Sequence, residues 1–138
     1  MSVFFTDRDL GLQFPAMLRA AGILVERHCD HFAHDTPDEE WIRGVSEAGW
    51  FVLTHNRRIR YTPNELAAVG EAGIGMFMII GTAAFPALAQ NFIITHPKVE
   101  HFITSNDPPF IAKIYRASEA ERARNPAAPG QVTLWKDF

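Results

Sequence analysis

Two aspartates, Asp7 and Asp9, stand directly after the apolar run Val3-Phe4-Phe5-Thr6. A carboxylate at the end of a buried strand needs a partner, because an unpaired charge beside a core is costly. In open α/β sheets the carboxyl edge of the strands is where ligands bind. Asp30 follows a second apolar run, Ile23-Leu24-Val25, and Asn56 follows a third, Trp50-Phe51-Val52-Leu53-Thr54. Asp38 opens the helix that leads into that third run. If the runs are parallel strands, these groups gather at one edge. Carboxylates crowded together repel unless a cation neutralises them. Hard oxygen ligands suit Mg²⁺ or Mn²⁺. Such an ion activates water and stabilises charge on a phosphodiester. Asp7, Asp30, Asp38 and Asn56 are thus candidate catalytic groups, with the carboxylates of Asp7, Asp38 and Asp30 as candidates to hold the metal. Arg57 and Arg58, with Arg60, Lys113 and Arg116 as further basic residues, offer phosphate recognition.

Each of these residues also has a plainer reading. Asp38 and Glu39 suit the first turn of a helix on capping and dipole grounds alone. Asp30 reads equally as a loop acid, and Asp9 as a turn-stabilising or solvated residue. The arginines read equally as a solvated charged face. His28, His31 and His34 recur every third residue, but their segment looks like loop and no second ligand cluster accompanies them, which argues against zinc. His55, beside Asn56, is a candidate substrate contact.

The elements that must deliver these groups follow from pattern. Val3–Thr6 is expected as a strand, then a helix carrying Phe14, Met17, Leu18 and Ala21 at helical spacing, closed by Gly22. After the second strand, His28–Asp35 reads as loop. Thr36-Pro37-Asp38-Glu39 has the form of a capping box with proline at the first helical position. Trp41, Ile42, Val45 and Ala48 supply that helix's buried face. Thr62-Pro63-Asn64-Glu65 repeats the pattern ahead of a second such helix, which stops near Gly70. Ile74–Ile80 is a fourth strand. A helix runs from Thr82 to about Ile94, with a short restart at Pro97. Phe110–Tyr115 is a last strand. Strands alternating with helices imply a mostly parallel sheet. From Ala117 the chain turns charged, small and proline-containing. Residues 117–138 are expected as a weakly ordered or partner-docked tail on a domain of residues 1–116, because Val132-Thr133-Leu134-Trp135 needs a surface to cover it.

Composition bounds the class. The chain has 138 residues and a net charge of −3, so it lacks any global attraction to nucleic acid and would need a local basic patch. No apolar run reaches the roughly 18 residues that span a membrane. The N-terminus is acidic by Asp7 and lacks a basic leader region. Cys29 is the single cysteine, so no internal disulfide can form, and a cytoplasmic setting fits.

Taken in order, Phe4-Phe5-Thr6-Asp7-Arg8-Asp9-Leu10-Gly11, Asp30-His31-Phe32, Thr36-Pro37-Asp38-Glu39-Glu40-Trp41 and Trp50-Phe51-Val52-Leu53-Thr54-His55-Asn56 resemble the compact PIN-like domains. These are related to the VapC-type ribonuclease toxins of bacterial toxin–antitoxin pairs. The resemblance covers roughly residues 3–116. It implies a three-layer α/β fold, with a mostly parallel central sheet of four to five strands flanked by helices. It implies Mg²⁺ or Mn²⁺ as cofactor, RNA as substrate and a cognate antitoxin as partner, with no membrane, and it leaves a homo-oligomer open. By this resemblance Asp7 is similar to the first-strand metal ligand, Asp38 to the acid before strand three, and Asp30 to the acid after strand two. Thr54-His55-Asn56 resembles the family's Thr-x-Asp or Thr-x-Asn strand end. The departure lies there. Asn56 carries no charge, and the further acid that many PIN toxins have just after it is missing. A non-catalytic PIN-like module that binds and regulates a partner is the alternative. Asn56 in the phosphoacceptor position argues strongly against a phosphorylation receiver. The solitary Gly11 after strand one makes a flavin- or nucleotide-binding module a weak reading.

Overall fold

In a strand, successive side chains point to opposite faces. A strand buried on both faces must therefore be apolar at every position. Val3–Thr6, Phe51–Thr54 and Gly75–Ile79 come close to that condition, with a buried threonine as the only polar residue ending each of the first two, and form β1, β3 and β4. The computed structural model describes residues 2–55 and 62–138. With β2 (Leu24–Arg27), β5 (Phe110–Tyr115) and β6 (Gln131–Asp137), they build one six-stranded sheet in the order β2-β1-β3-β4-β5-β6. Every pairing is parallel except the last, β5 with β6.

Alternation sorts the core into two layers. Phe4, Leu53, Phe77, Ile79 and Phe110 face one side, under α1 (Gln13–Ala20) and α5 (Phe85–Ser105). Phe5, Val52, Met76, Met78 and Ile111 face the other, under α3 (Asp38–Ala48) and α4 (Pro63–Ala72). Full burial of each large apolar side chain contributes about 1.5–3 kcal/mol. The eleven phenylalanines supply much of it: Phe4, Phe5, Phe14, Phe77 and Phe92 have no exposed surface. Gly75 permits one close approach. A Cβ there would stand 2.6 Å from Phe51 and 2.7 Å from Phe110. Those rings, on the strands either side of β4, stack over it with centroids 6.3 Å apart.

The strand order carries two further features. β1 leads leftward to β2, and the chain then recrosses to β3 on the other side of β1. The crevice between the carboxyl ends of β1 and β3 is thus a topological switch point. The other feature concerns hand. The steps β3 to β4 and β4 to β5 run in the same direction across the sheet. Yet α4 covers one face and α5 the opposite one, against α1. The β4–α5–β5 crossover therefore has the opposite hand to the others, against the strong general preference for right-handed connections.

Several expectations are corrected. The sheet has six strands rather than four to five. His28–His31 forms a one-turn helix, α2, where loop was expected. Pro37, not Thr36, is the residue ahead of α3, and no side chain caps it; Asp38, Glu39 and Glu40 fill the first turn instead. Helix α5 continues through Pro97 without a restart. Proline removes only one helical hydrogen bond, and the residues on either side, Phe92, Thr95 and Val99, are all buried against the sheet. The segment 117–138 carries α6 (Glu119–Arg124) and then β6. The surface that Val132–Trp135 requires is the chain's own edge strand, β5. The entry to β6 is pinned: the Gly130 N–H donates to Thr95 Oγ1 at 2.9 Å, and Lys98 Nζ donates to the Gly130 carbonyl at 2.9 Å. Among the described residues, no helix is long and apolar enough to cross a membrane.

Candidate active site

The site forms where β1 and β3 end. The Asp7 N–H continues the sheet by donating to the Leu53 carbonyl at 3.0 Å, which holds Asp7 in line with the strand. Its side chain is 3 % exposed. One carboxylate oxygen caps the 3₁₀ turn Arg8–Leu10 by accepting the Arg8 N–H at 2.7 Å. The other accepts the hydroxyl of Thr54, the last residue of β3, at 3.0 Å. Thr54 Oγ1 also lies 3.3 Å from Asp9 Oδ2, and the His55 N–H donates to that same oxygen at 3.1 Å. The 3₁₀ turn thus brings Asp9 back to the strand edge beside Asp7.

Burial penalises the charged form of both aspartates. Asp7 is pushed up from 3.8 to about 6, first by desolvation and then by the neighbouring Asp9 charge; the Arg8 N–H and the Thr54 hydroxyl pull the other way. Asp9 is also raised by desolvation, opposed by the His55 N–H. Asp38 joins this edge from the first turn of α3. Its Oδ1 accepts Trp41 Nε1–H at 2.8 Å and the Arg8 guanidinium at 3.0 Å. Glu65, in the first turn of α4, has a raised pKa, first from burial and then from the adjoining Asp38 carboxyl.

The structure brings Asp7 and Asp38 to one edge and places Asp9 and Glu65 beside them. The Asp-x-Asp spacing after strand one was the available signal for Asp9. Glu65 had been read only as part of a capping pattern, and its approach to Asp38 is a contact between two helices that no local pattern reveals. Asp30 is turned elsewhere. It receives a two-bond pair from Arg27 at 2.8 and 2.9 Å, with Arg19 at 3.8 Å. It makes no hydrogen bond or ion pair with Asp7 or Asp38. The helical turn α2, unforeseen in the sequence, rotates it onto that outer face. Asn56, Arg57 and Arg58 lie outside the described residues.

The histidines do not converge. His28 is buried against Phe5, Phe32 and Trp41, and neither ring nitrogen has a hydrogen-bond partner. Desolvation, then the Arg8 charge, lowers its pKa to about 4. His31 pairs with Glu26 at 3.0 Å on an exposed face. His55 Nε2 bonds the Gly81 carbonyl at 2.8 Å, which requires the proton on Nε2. Its ring meets Phe85 edge-on and borders a groove of about 490 Å³ with Gln13, Thr82 and Pro86.

The donor set suits a hard divalent cation in type, since every group is a carboxylate. Two of its buried oxygens, Asp9 Oδ1 and Glu65 Oε2, have no hydrogen-bond partner among the described residues, as atoms free to meet a ligand would. As arranged, however, no three His, Cys, Asp or Glu among the described residues converge closely enough to hold one ion. The Arg8 guanidinium stands among them, with Nη2 3.0 Å from Asp38 and Nε 3.7 Å from Asp7.

The chain is thus a three-layer α/β domain with an acidic edge at its switch point. The family model described as PIN like domain matches residues 2–81, more than half of the 138-residue chain. The chain belongs to the PIN-like domain family. No curated protein and no solved structure matches it.

Proposed function

We propose that the protein is a metal-dependent endoribonuclease, the toxin of a type II toxin–antitoxin pair. The observation that carries this reading is the buried Asp7 at the end of β1, whose carboxylate is held by Thr54 and crowded by Asp9 and Asp38. Asp7 and Asp38 would hold Mg²⁺ or Mn²⁺, with the unpartnered oxygens of Asp9 and Glu65 nearby; Asp30, engaged by Arg27, takes no part. Bound there, the ion would supply a water activated for attack on an RNA phosphodiester and neutralise charge on the phosphate. Thr54 orients Asp7 and Asp9 through one hydroxyl. Arg57 and Arg58 stand three and four residues past the end of β3 in sequence and would receive flanking phosphates. A cognate antitoxin would cover this edge.

A second reading has its own support: a non-catalytic PIN-like module that binds a partner. Arg8 already neutralises Asp38, and the chain carries Asn56 where a further charge would strengthen ion binding.

The deciding experiment incubates the purified chain with mixed RNA and Mn²⁺, beside an EDTA control and an Asp7→Asn control. Cleavage abolished in both controls supports the nuclease. Cleavage that survives Asp7→Asn sinks the assignment of the site. No cleavage, together with no Mn²⁺ binding by calorimetry, favours the binding module.

A further inference from the structure

Arg8 is the one cation that touches both Asp7 and Asp38 among the described residues, and the nuclease reading gives it no part. The 3₁₀ turn capped by Asp7 fixes its backbone. Its guanidinium then reaches across the edge. Nη2 donates to Asp38 Oδ1 at 3.0 Å, and Nε lies 3.7 Å from Asp7 Oδ1. Nη1 donates to the carbonyls of His34 and Thr36, the loop that leads into α3. One side chain thus ties the end of β1 to the start of α3, and does so through the two carboxylates that would hold an ion.

We infer that Arg8 is a built-in counter-cation, which holds the acidic edge in a metal-free form and must leave before a divalent ion can bind; this rests on the metal-binding reading of that edge. The argument is one of charge and room. A guanidinium and a divalent ion repel, and both would draw on the Asp38 carboxylate. Arg8 cannot shed its charge by losing a proton, so it yields only by swinging away. Its side chain is 27 % exposed, which leaves it a route to solvent. It also lines a cavity of about 180 Å³ with Asp7, Leu12, Arg27 and His28, which offers it a second position beside the site. The carboxylates repel one another in the absence of any cation. A chain that carries its own cation can keep Asp7 and Asp38 close without an ion, and the cost appears as weaker ion binding.

The test is calorimetric titration of Mn²⁺ into the wild-type chain, Arg8→Gln and Arg8→Lys, each checked for folding by near-UV circular dichroism. Removal of the charge should tighten Mn²⁺ binding by about tenfold or more, as expected for coupling between two competing ligands of one site. Arg8→Lys keeps the charge and should stay near wild type. In parallel, Mg²⁺ titration should shift the Nε–H resonance of Arg8 toward that of a free arginine. Mn²⁺ binding by Arg8→Gln alone would support the inference in its strongest form. Wild-type binding that is unchanged or weakened in Arg8→Gln, or an Nε–H resonance that does not move on saturation, overturns the inference and leaves the metal site standing. Absence of binding in all three proteins overturns both. Should Arg8→Gln fail to fold, the Nε–H titration of the wild-type chain decides alone.

Discussion

Thr54 gives its hydroxyl to Asp7 across the ends of β3 and β1, at 3.0 Å. That contact joins the two strands that flank the switch point, and it orients the most buried acid of the chain. Replacing Thr54 by valine keeps the shape and removes the donor. A hydrogen bond to a buried charged group is worth about 1.5–3 kcal/mol. Thr54→Val should lower the urea midpoint accordingly at pH 8, with a smaller loss at pH 4, where Asp7 is protonated. An equal loss at both pH values would mean that the bond to the charged form is not what matters.

Asp7 should cost the metal-free protein stability at neutral pH. Its folded pKa is raised from 3.8 to about 6. The neutral form is thus favoured in the fold, and its contribution is fully present below pH 3.8 and lost as pH rises through about 6. One pKa unit corresponds to about 1.4 kcal/mol, so the cost above pH 6 is of the order of 3 kcal/mol. Asparagine can still accept from the Arg8 N–H and can donate to Thr54. In EDTA, Asp7→Asn should therefore melt higher than wild type at pH 8, and the gap should close at pH 4. A variant less stable at pH 8 would refute this. The gain in stability would accompany loss of any metal-dependent activity, the usual trade at a functional site.

His28 should act with the opposite sign over nearly the same range. Burial and the nearby Arg8 and His34 charges lower its pKa from 6.5 to about 4, while Asp38 opposes them. Its neutral form is the folded one. The stability it contributes is present above pH 6.5 and is lost as pH falls through about 4. His28→Leu removes two unpartnered nitrogens from an aromatic surround and should flatten the acid limb of the stability curve. Melting temperatures measured from pH 4 to 7.5 check this; an unchanged slope would exclude His28 as a source of acid sensitivity.

Gly75→Ala should destabilise the sheet. The added methyl would stand 2.6 Å from Phe51 and 2.7 Å from Phe110, too close for real contacts. Overpacking of this kind costs about 1–3 kcal/mol. Chemical denaturation should report that loss, and Gly75→Ala combined with Phe51→Leu should recover part of it. Additive effects in the double variant would argue against the steric account.

Local pattern carried the strands β1 to β5, most of the buried faces of α1 and α3 though Ala21 and Ala48 are exposed, and the position of Asp7 after β1 and of Asp38 at the start of α3. What it did not carry is non-local. β6 looked like tail because its neighbours are charged and small; its partner β5 and its anchor Thr95 lie far back in the chain. Asp30 looked like an edge acid because one helical turn, α2, was read as loop. Glu65 reaches Asp38 only through the packing of α4 on α3. The fold class was thus readable from periodicity, whereas membership of the acidic cluster depended on how elements meet.

The family match ends at residue 81, and α5 begins at Phe85. The core does not respect that border. Phe92, on α5, sets its ring 5.3 Å from Phe4 and 6.3 Å from Phe14. Phe77 is closed in by Phe102 and Phe110, which also come from the later segment. A fragment cut at residue 81 would keep the recognisable acids and the whole of α3, yet leave one face of its sheet with α1 alone to cover it. The remaining piece would hold a long helix and two strands with nothing to cover them. The stretch by which the family is recognised is therefore not a portable module, and any graft or chimera must carry both halves, because the second half roofs the first.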